Sequence, residues 1–287
     1  MSVNVVAVGP TRTGTTSLFR NLISYDLVVG SKVKELDYFL SPATFESNYH
    51  SYFEGVGDFF LEASPKYFLY SEVVCSNIKK EINNPKIIII LRDPVDRIKS
   101  IFNHIYNKRK IGLYSSVDEI ASIQITDSSY RFSSDEIDSG SFSEGLYLKN
   151  LPVWIEAFGS ENVGIFFYEN MKDENFLSDV FKFLGVDISC SKMTVENVSR
   201  SIGNLSIHHF AKRANDSLEP FFNKFPKARS TLRDAYYFLN NKKPDCNILL
   251  SDSYEKKFKD LYDLENDGLL DYLRNKKVYG DFPGWLK

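Results

Sequence analysis

Apolar residues along this chain fall into two patterns. Five short runs are apolar at nearly every position: Val3–Val8, Leu27–Val29, Asp58–Glu62, Lys86–Leu91 and Val163–Tyr168. Such runs, rich in Val, Ile and Phe and lacking alternation, predict strands buried on both faces. Gly9-Pro10 stops the first of them. Between the runs, apolar residues recur at helical spacing over Thr15–Ser24, Ser71–Ile82, Pro94–Lys108 and Gly145–Phe158, which predicts amphipathic helices. Strands and helices in alternation predict an α/β fold of three layers, with a central parallel sheet of about five strands and helices on both faces. Beyond Asn170 the spacing stays helical, over Phe176–Leu184, Ile207–Leu218, Ser251–Leu264 and Leu269–Lys276, so residues 190–287 are expected to form a helical C-terminal part. The stretch Ser115–Ser143 is rich in Ser and Asp with weak periodicity and is expected to be a flexible loop or lid. No repeat or linker divides the chain, so 1–287 is taken as a single domain.

Composition narrows the function classes. With 287 residues, 43% hydrophobic and 25% charged, the chain can bury a sizeable core. A net charge of −3 argues against a general nucleic-acid binder, so an anionic ligand would need local cations. Cys75, Cys190 and Cys246 have neither disulfide nor metal spacing and suit a reducing compartment. No apolar run reaches membrane-spanning length, and a cytoplasmic location is expected. His208-His209 have no cysteine or carboxylate at ligand spacing, so no metal is assigned.

Candidate chemistry lies where strands run into helices. Gly9-Pro10-Thr11-Arg12-Thr13-Gly14-Thr15-Thr16-Ser17 joins the first strand to the first helix, where backbone N–H groups and a helix N-terminus cradle anions. The spacing is that of a phosphate loop, but Thr15 stands where a nucleoside triphosphatase needs lysine. The fold is therefore P-loop-like, and the loop suits a 5′ group with less charge than a triphosphate. The fourth run leads directly into Arg92-Asp93-Pro94, with Asp93 an expected N-cap and Pro94 a first helical residue. Arg92 at a strand's carboxyl end, with Ser100 two turns into the helix, has the makings of a phosphate clamp. His104, one turn further, could reach an acceptor or be structural.

Together these segments resemble the PAPS-dependent sulfotransferases, where PAPS is 3′-phosphoadenosine 5′-phosphosulfate. Pro10 to Leu18 resembles their 5′-phosphosulfate loop, and Ile88 to Ser100, with Arg92, Asp93-Pro94, Arg97 and Ser100, their 3′-phosphate segment. The likeness is nearest to the heparan sulfate and related carbohydrate sulfotransferases. It is carried by Lys34-Glu35-Leu36-Asp37-Tyr38-Phe39, by Glu62-Ala63-Ser64-Pro65-Lys66-Tyr67-Phe68, and by Gly145-Leu146-Tyr147 followed by Leu151, Trp154 and Phe158. The resemblance implies PAPS as co-substrate and PAP, its desulfonated form, as product, with no metal. Arg12, Thr13, Gly14, Thr15, Thr16, Ser17, Arg92 and Ser100 would bind the nucleotide. It also implies Glu35 as base for the acceptor proton, although Glu35 could instead pair with Lys32 or Lys34 at the surface.

Three positions depart from that pattern. Arg12 replaces the usual lysine, keeping the charge but not a titratable proton, so it is assigned to electrostatic stabilisation. Ala63 stands where relatives carry lysine, with Lys66 nearby but expected to point elsewhere, and Asp37 stands where histidine is frequent. The last two lie on the acceptor side, so the acceptor is not carried over from the resemblance; a glycan or another small or lipid-linked molecule is the expected partner. Arg200, Lys212 and Arg213 are candidates to complete the 3′-phosphate site. The aromatics Phe221, Phe222, Tyr236, Tyr237 and Trp285 are expected in the core. A phosphate-loop kinase would need the missing lysine and an acidic magnesium site; a degenerate nucleotide-binding module would have no need of Glu35.

Overall fold

The computed structural model describes residues 3–109, 116–126, 142–189, 192–193, 201–202, 241–242 and 250–286. The five apolar runs form strands β1 (Val3–Val8), β2 (Val28–Gly30), β3 (Phe59–Ala63), β4 (Lys86–Leu91) and β5 (Val163–Phe167). All pair in parallel, in the order β2-β3-β1-β4-β5. Strand β1 is central, with Val5 opposite Leu61 on one side and Lys86 on the other. Among the described residues the helices are α1 (Thr15–Leu22), α2 (Ser71–Glu81), α3 (Pro94–Arg109), α4 (Val117–Thr126), α5 (Tyr147–Phe158), α6 (Phe176–Leu184), α7 (Asp252–Glu265) and α8 (Leu269–Arg274).

Period-two alternation assigns each strand residue to one of two cores. Val6, Val8, Ile87, Ile89 and Leu91 pack with α2, α5 and α8 through Val74, Ile78, Leu151, Trp154 and Leu273. Val5, Ala7, Ile88 and Ile90 pack against α1 and α6 through Leu18, Leu22, Leu177 and Phe181. Each fully buried aliphatic side chain contributes about 1.5–3 kcal/mol. Ile87 through Leu91 are all buried, so β4 holds both layers to the sheet.

Two parts of the fold differ from expectation. The stretch 115–143 is not a loop throughout, because Val117–Thr126 is helix α4. Val117, Ile120 and Ala121 are buried in a third core with Ile98 and Phe102 of α3 and Phe258 and Tyr262 of α7. Its apolar stripe is short and interrupted by polar residues, and only packing against two other helices makes it a stable face. Residues 127–141 lie outside the described residues. The C-terminal part is not wholly helical either. Ser201–Ile202 (β6) and Asn241–Lys242 (β7) form an antiparallel pair, and Val278 bridges Ile165 in parallel. Tyr279 N–H donates to the Ile165 carbonyl at 2.9 Å, and Ile165 N–H to that of Lys277 at 3.0 Å, covering the free edge of β5. The expected helix at 207–218 lies outside the described residues. Among the described residues, no helix is long and apolar enough to cross a membrane.

Candidate active site

The phosphate loop leaves the carboxyl end of β1 and enters α1. Gly9, at φ +151°, packs so closely on β4 that a Cβ there would lie 2.5 Å from the Ile90 carbonyl oxygen. Arg12 (φ 75°) and Gly14 (φ 89°) are left-handed, and the buried Thr13 hydroxyl donates to the Pro10 carbonyl at 2.8 Å. Thr15 and Ser17 are buried and Thr16 is exposed. Gly14 is the N-cap of α1 and makes no side-chain cap, so the first amides of that helix stand ready for an anion.

The structure brings the two predicted anion segments into contact. Arg12 Nε donates to Ser100 Oγ at 3.1 Å, and Arg92 Nη1 donates to the Arg12 carbonyl at 3.0 Å. The Arg92 guanidinium lies over the Tyr168 ring, 4.2 Å from its centroid. Burial, then the nearby Arg92 charge, pushes the Arg12 guanidinium below its ordinary pKa. As expected, Asp93 caps α3: its Oδ1 accepts from Val95 N–H at 2.8 Å and Asp96 N–H at 3.2 Å. His104 follows Ser100 by one turn of α3 and is half-buried.

A buried ion pair supports this junction, and sequence reasoning missed it. Arg97 and Glu144 are 0% and 2% exposed and pair at 3.1 Å. Glu144 also accepts from Thr11 N–H at 2.7 Å and from its hydroxyl at 3.1 Å, tethering the phosphate loop to α3. Burial alone would lower the Arg97 pKa, but Tyr262, Glu144 and Tyr147 outweigh it and hold it above its usual value. Only the apolar periodicity around Arg97, which puts it on the inner face of α3, could have flagged it.

In the turn where the resemblance places the acceptor, Glu35 and Asp37 are both left-handed, at φ 62° and 56°. Glu35 is exposed and pairs with Lys34, while Lys32 pairs with Glu54 at 2.6 Å. Glu35 N–H donates to the Ala63 carbonyl at 3.2 Å, which ties the turn to the end of β3. Lys66 does not point away as expected. The 3₁₀ turn Pro65–Phe68 swings it back to Asp37 Oδ2 at 3.1 Å, so a cation stands beside the Glu35–Asp37 turn despite Ala63. Burial raises the Asp37 carboxyl above the ordinary range, with Lys66 opposing.

Trp285 packs on Tyr147 and Phe167 and donates to Glu169 at 3.1 Å. A cleft of about 550 Å³ near it is lined by Asp93, Asp96, Glu255, Asp263 and Asp267 among others; no phosphate-loop residue borders it, and its acid-rich wall disfavours an anion. Among the described residues, no group of three His, Cys, Asp or Glu could hold a metal. Arg200, Lys212, Arg213, the His208-His209 pair, Phe221, Phe222, Tyr236 and Tyr237 lie outside the described residues.

Residues 3–224 match the sulfotransferase domain family. A sulfotransferase from Alicyclobacillus acidocaldarius superposes with a TM-score of 0.53 at 22% identity, covering 78% of this chain and 95% of that one; the likeness is one of fold. The mouse sulfotransferase SULT7A1 complexed with PAP superposes with a TM-score of 0.44 at 19% identity, over 65% of this chain and 59% of that one. No curated protein matches.

Proposed function

The chain belongs to the sulfotransferase domain family, and on that premise we propose that it transfers a sulfonate group from PAPS to a hydroxyl or amine of a glycan, or of another small or lipid-linked acceptor. The observation that carries this reading is the junction of Arg12, Arg92 and Ser100. Two guanidinium groups tied into one junction, Arg92 Nη1 on the Arg12 carbonyl at 3.0 Å and Arg12 Nε on Ser100 Oγ at 3.1 Å, suit an anion with more than one phosphate. The left-handed loop and the uncapped start of α1 fit a 5′-phosphosulfate, while Arg92 and Ser100 fit a 3′-phosphate.

Bound PAPS supplies the activated sulfonate, and the chain's own groups do the rest. Arg12 places fixed positive charge beside the phosphate that leaves, which counts most in a preorganised, partly dry site. Glu35 accepts the proton of the attacking hydroxyl or amine at its carboxylate, and Lys34 orients that carboxylate. Asp37 and Lys66 form a charged pair next to it that an acceptor's polar groups would meet.

The test is turnover of labelled PAPS with glycan, lipid and phenolic acceptors, wild type against Glu35→Gln. The variant should lose about 10²–10⁴ in turnover, the worth of a positioned general base, with PAP affinity unchanged. Near-normal turnover would place the base elsewhere, His104 first. A phosphate-loop kinase would instead be stabilised by ATP with magnesium in preference to PAP alone.

A further inference from the structure

Under the Glu35 turn lies a carboxyl to which the chemistry above gives no part. Glu62, on β3, is fully buried. A carboxyl in such surroundings needs hydrogen bonds, and its Oε1 accepts two: from Ser64 Oγ at 2.8 Å and from the Tyr67 hydroxyl at 2.6 Å. A hydroxyl has one proton and two lone pairs. With their protons directed at Glu62, both oxygens are turned to accept. Ser64 Oγ accepts from Asp37 N–H at 3.1 Å, and the Tyr67 oxygen from Phe39 N–H at 3.0 Å. Those two amides flank Tyr38, in the turn that begins at Glu35. Glu35 and Asp37 hold positive φ without being glycine, a state that persists only where the surroundings over-determine it.

We propose that Glu62 is a positioning residue: through Ser64 and Tyr67 it holds the backbone turn that presents Glu35 to the acceptor. The proposal rests on Glu35 acting as the base, and Glu62 acts only through it. The other ties to this turn, Glu35 N–H to the Ala63 carbonyl, Lys66 to Asp37 and Asn77 to the Phe39 carbonyl, leave the amides of 37 and 39 to this relay. What Glu62 must supply is an acceptor oxygen, not a charge. Glu62→Gln should therefore preserve the turn, whereas Glu62→Met, of similar length, should not.

The experiment combines amide exchange at residues 37 and 39, followed by NMR, with steady-state kinetics in PAPS and acceptor. Ser64→Ala should speed exchange at Asp37, and Tyr67→Phe at Phe39, each by about ten-fold or more. Each should lower kcat by about 10- to 100-fold, as expected for a slightly misplaced catalytic group, with the KM for PAPS within about two-fold. Combined with Glu35→Gln, neither should add a further loss, because both act through the same carboxylate. Glu62→Met should reproduce the losses and Glu62→Gln restore them; if Glu62→Met does not fold, the two hydroxyl variants decide. Unchanged exchange and kcat in those variants, additive losses, or a Glu62→Gln as damaged as Glu62→Met would overturn the proposal. Released amides in a protein whose Glu35→Gln variant still turns over would uphold the anchoring and remove Glu35 as the base.

Discussion

Glutamine at position 62 keeps the size of Glu62 and an acceptor oxygen but removes a titration, and stability as a function of pH reports that loss. Burial pushes the Glu62 carboxyl up to about 7 from 4.5, against hydrogen bonds from Tyr67 and Ser64 that favour the charged form. The Tyr49 hydroxyl and the Asp37 carboxyl face the same group. Below about pH 4.5 both the folded and the unfolded chain carry the proton, and Glu62 is buried neutral. As the pH rises the unfolded chain releases its proton first, so the fold loses stability steadily. The loss is complete once the folded carboxyl has also ionised, somewhat above pH 7. The gap corresponds to about 3 kcal/mol of lost stability. Asp93 and Glu169, also raised by burial, slope the same way in both proteins and cancel in the difference. Urea denaturation at half-unit steps from pH 5 to 8 should show Glu62→Gln gaining on the wild type by about 2–3 kcal/mol across the range. Parallel curves for the two proteins would mean that Glu62 titrates as an ordinary carboxylate, and the reasoning from burial would be refuted.

Two further outcomes are expected. Arg92→Ala should weaken PAP by about 1.5–3 kcal/mol in calorimetry while leaving adenosine 5′-phosphosulfate, which lacks the 3′ group, far less affected; equal losses would remove Arg92 from the 3′-phosphate. Glu144→Ala removes the carboxylate paired with the buried Arg97 and frees Thr11 N–H, and should cost about 3–5 kcal/mol in denaturant unfolding. Arg97→Met in the same protein should recover part of that, and no recovery would mean that the loss lies in the loop tether instead of the stranded charge.

The elements of this protein are legible in local pattern, because their causes are local. Unbroken apolar runs gave the five strands of the parallel sheet to within a residue or two at each end, since a strand buried on both faces has no room for polar alternation. Asp93-Pro94 marked the start of α3, because an N-cap needs only its own next two amides. The phosphate loop showed in the spacing of Gly9 and Gly14, whose backbone conformations and close contacts only glycine meets easily. Tertiary packing decided the rest. The order β2-β3-β1-β4-β5 follows from crossovers that no short window contains. Helix α4 exists because α3 and α7 supply the far side of its apolar stripe. Lys66 reaches Asp37 because it sits in the 3₁₀ turn Pro65–Phe68 that follows β3. Glu62 and Glu144 look in sequence like any other acids, yet one is buried under the Glu35 turn and the other is bound to Arg97, 47 residues away. What a carboxylate does depends on which N–H, O–H and guanidinium groups the fold packs around it: those of Glu144 come from Thr11 and Arg97, 133 and 47 residues away, and the Ser64 and Tyr67 hydroxyls on Glu62 are close in sequence but meet amides 27 and 28 residues away at Asp37 and Phe39.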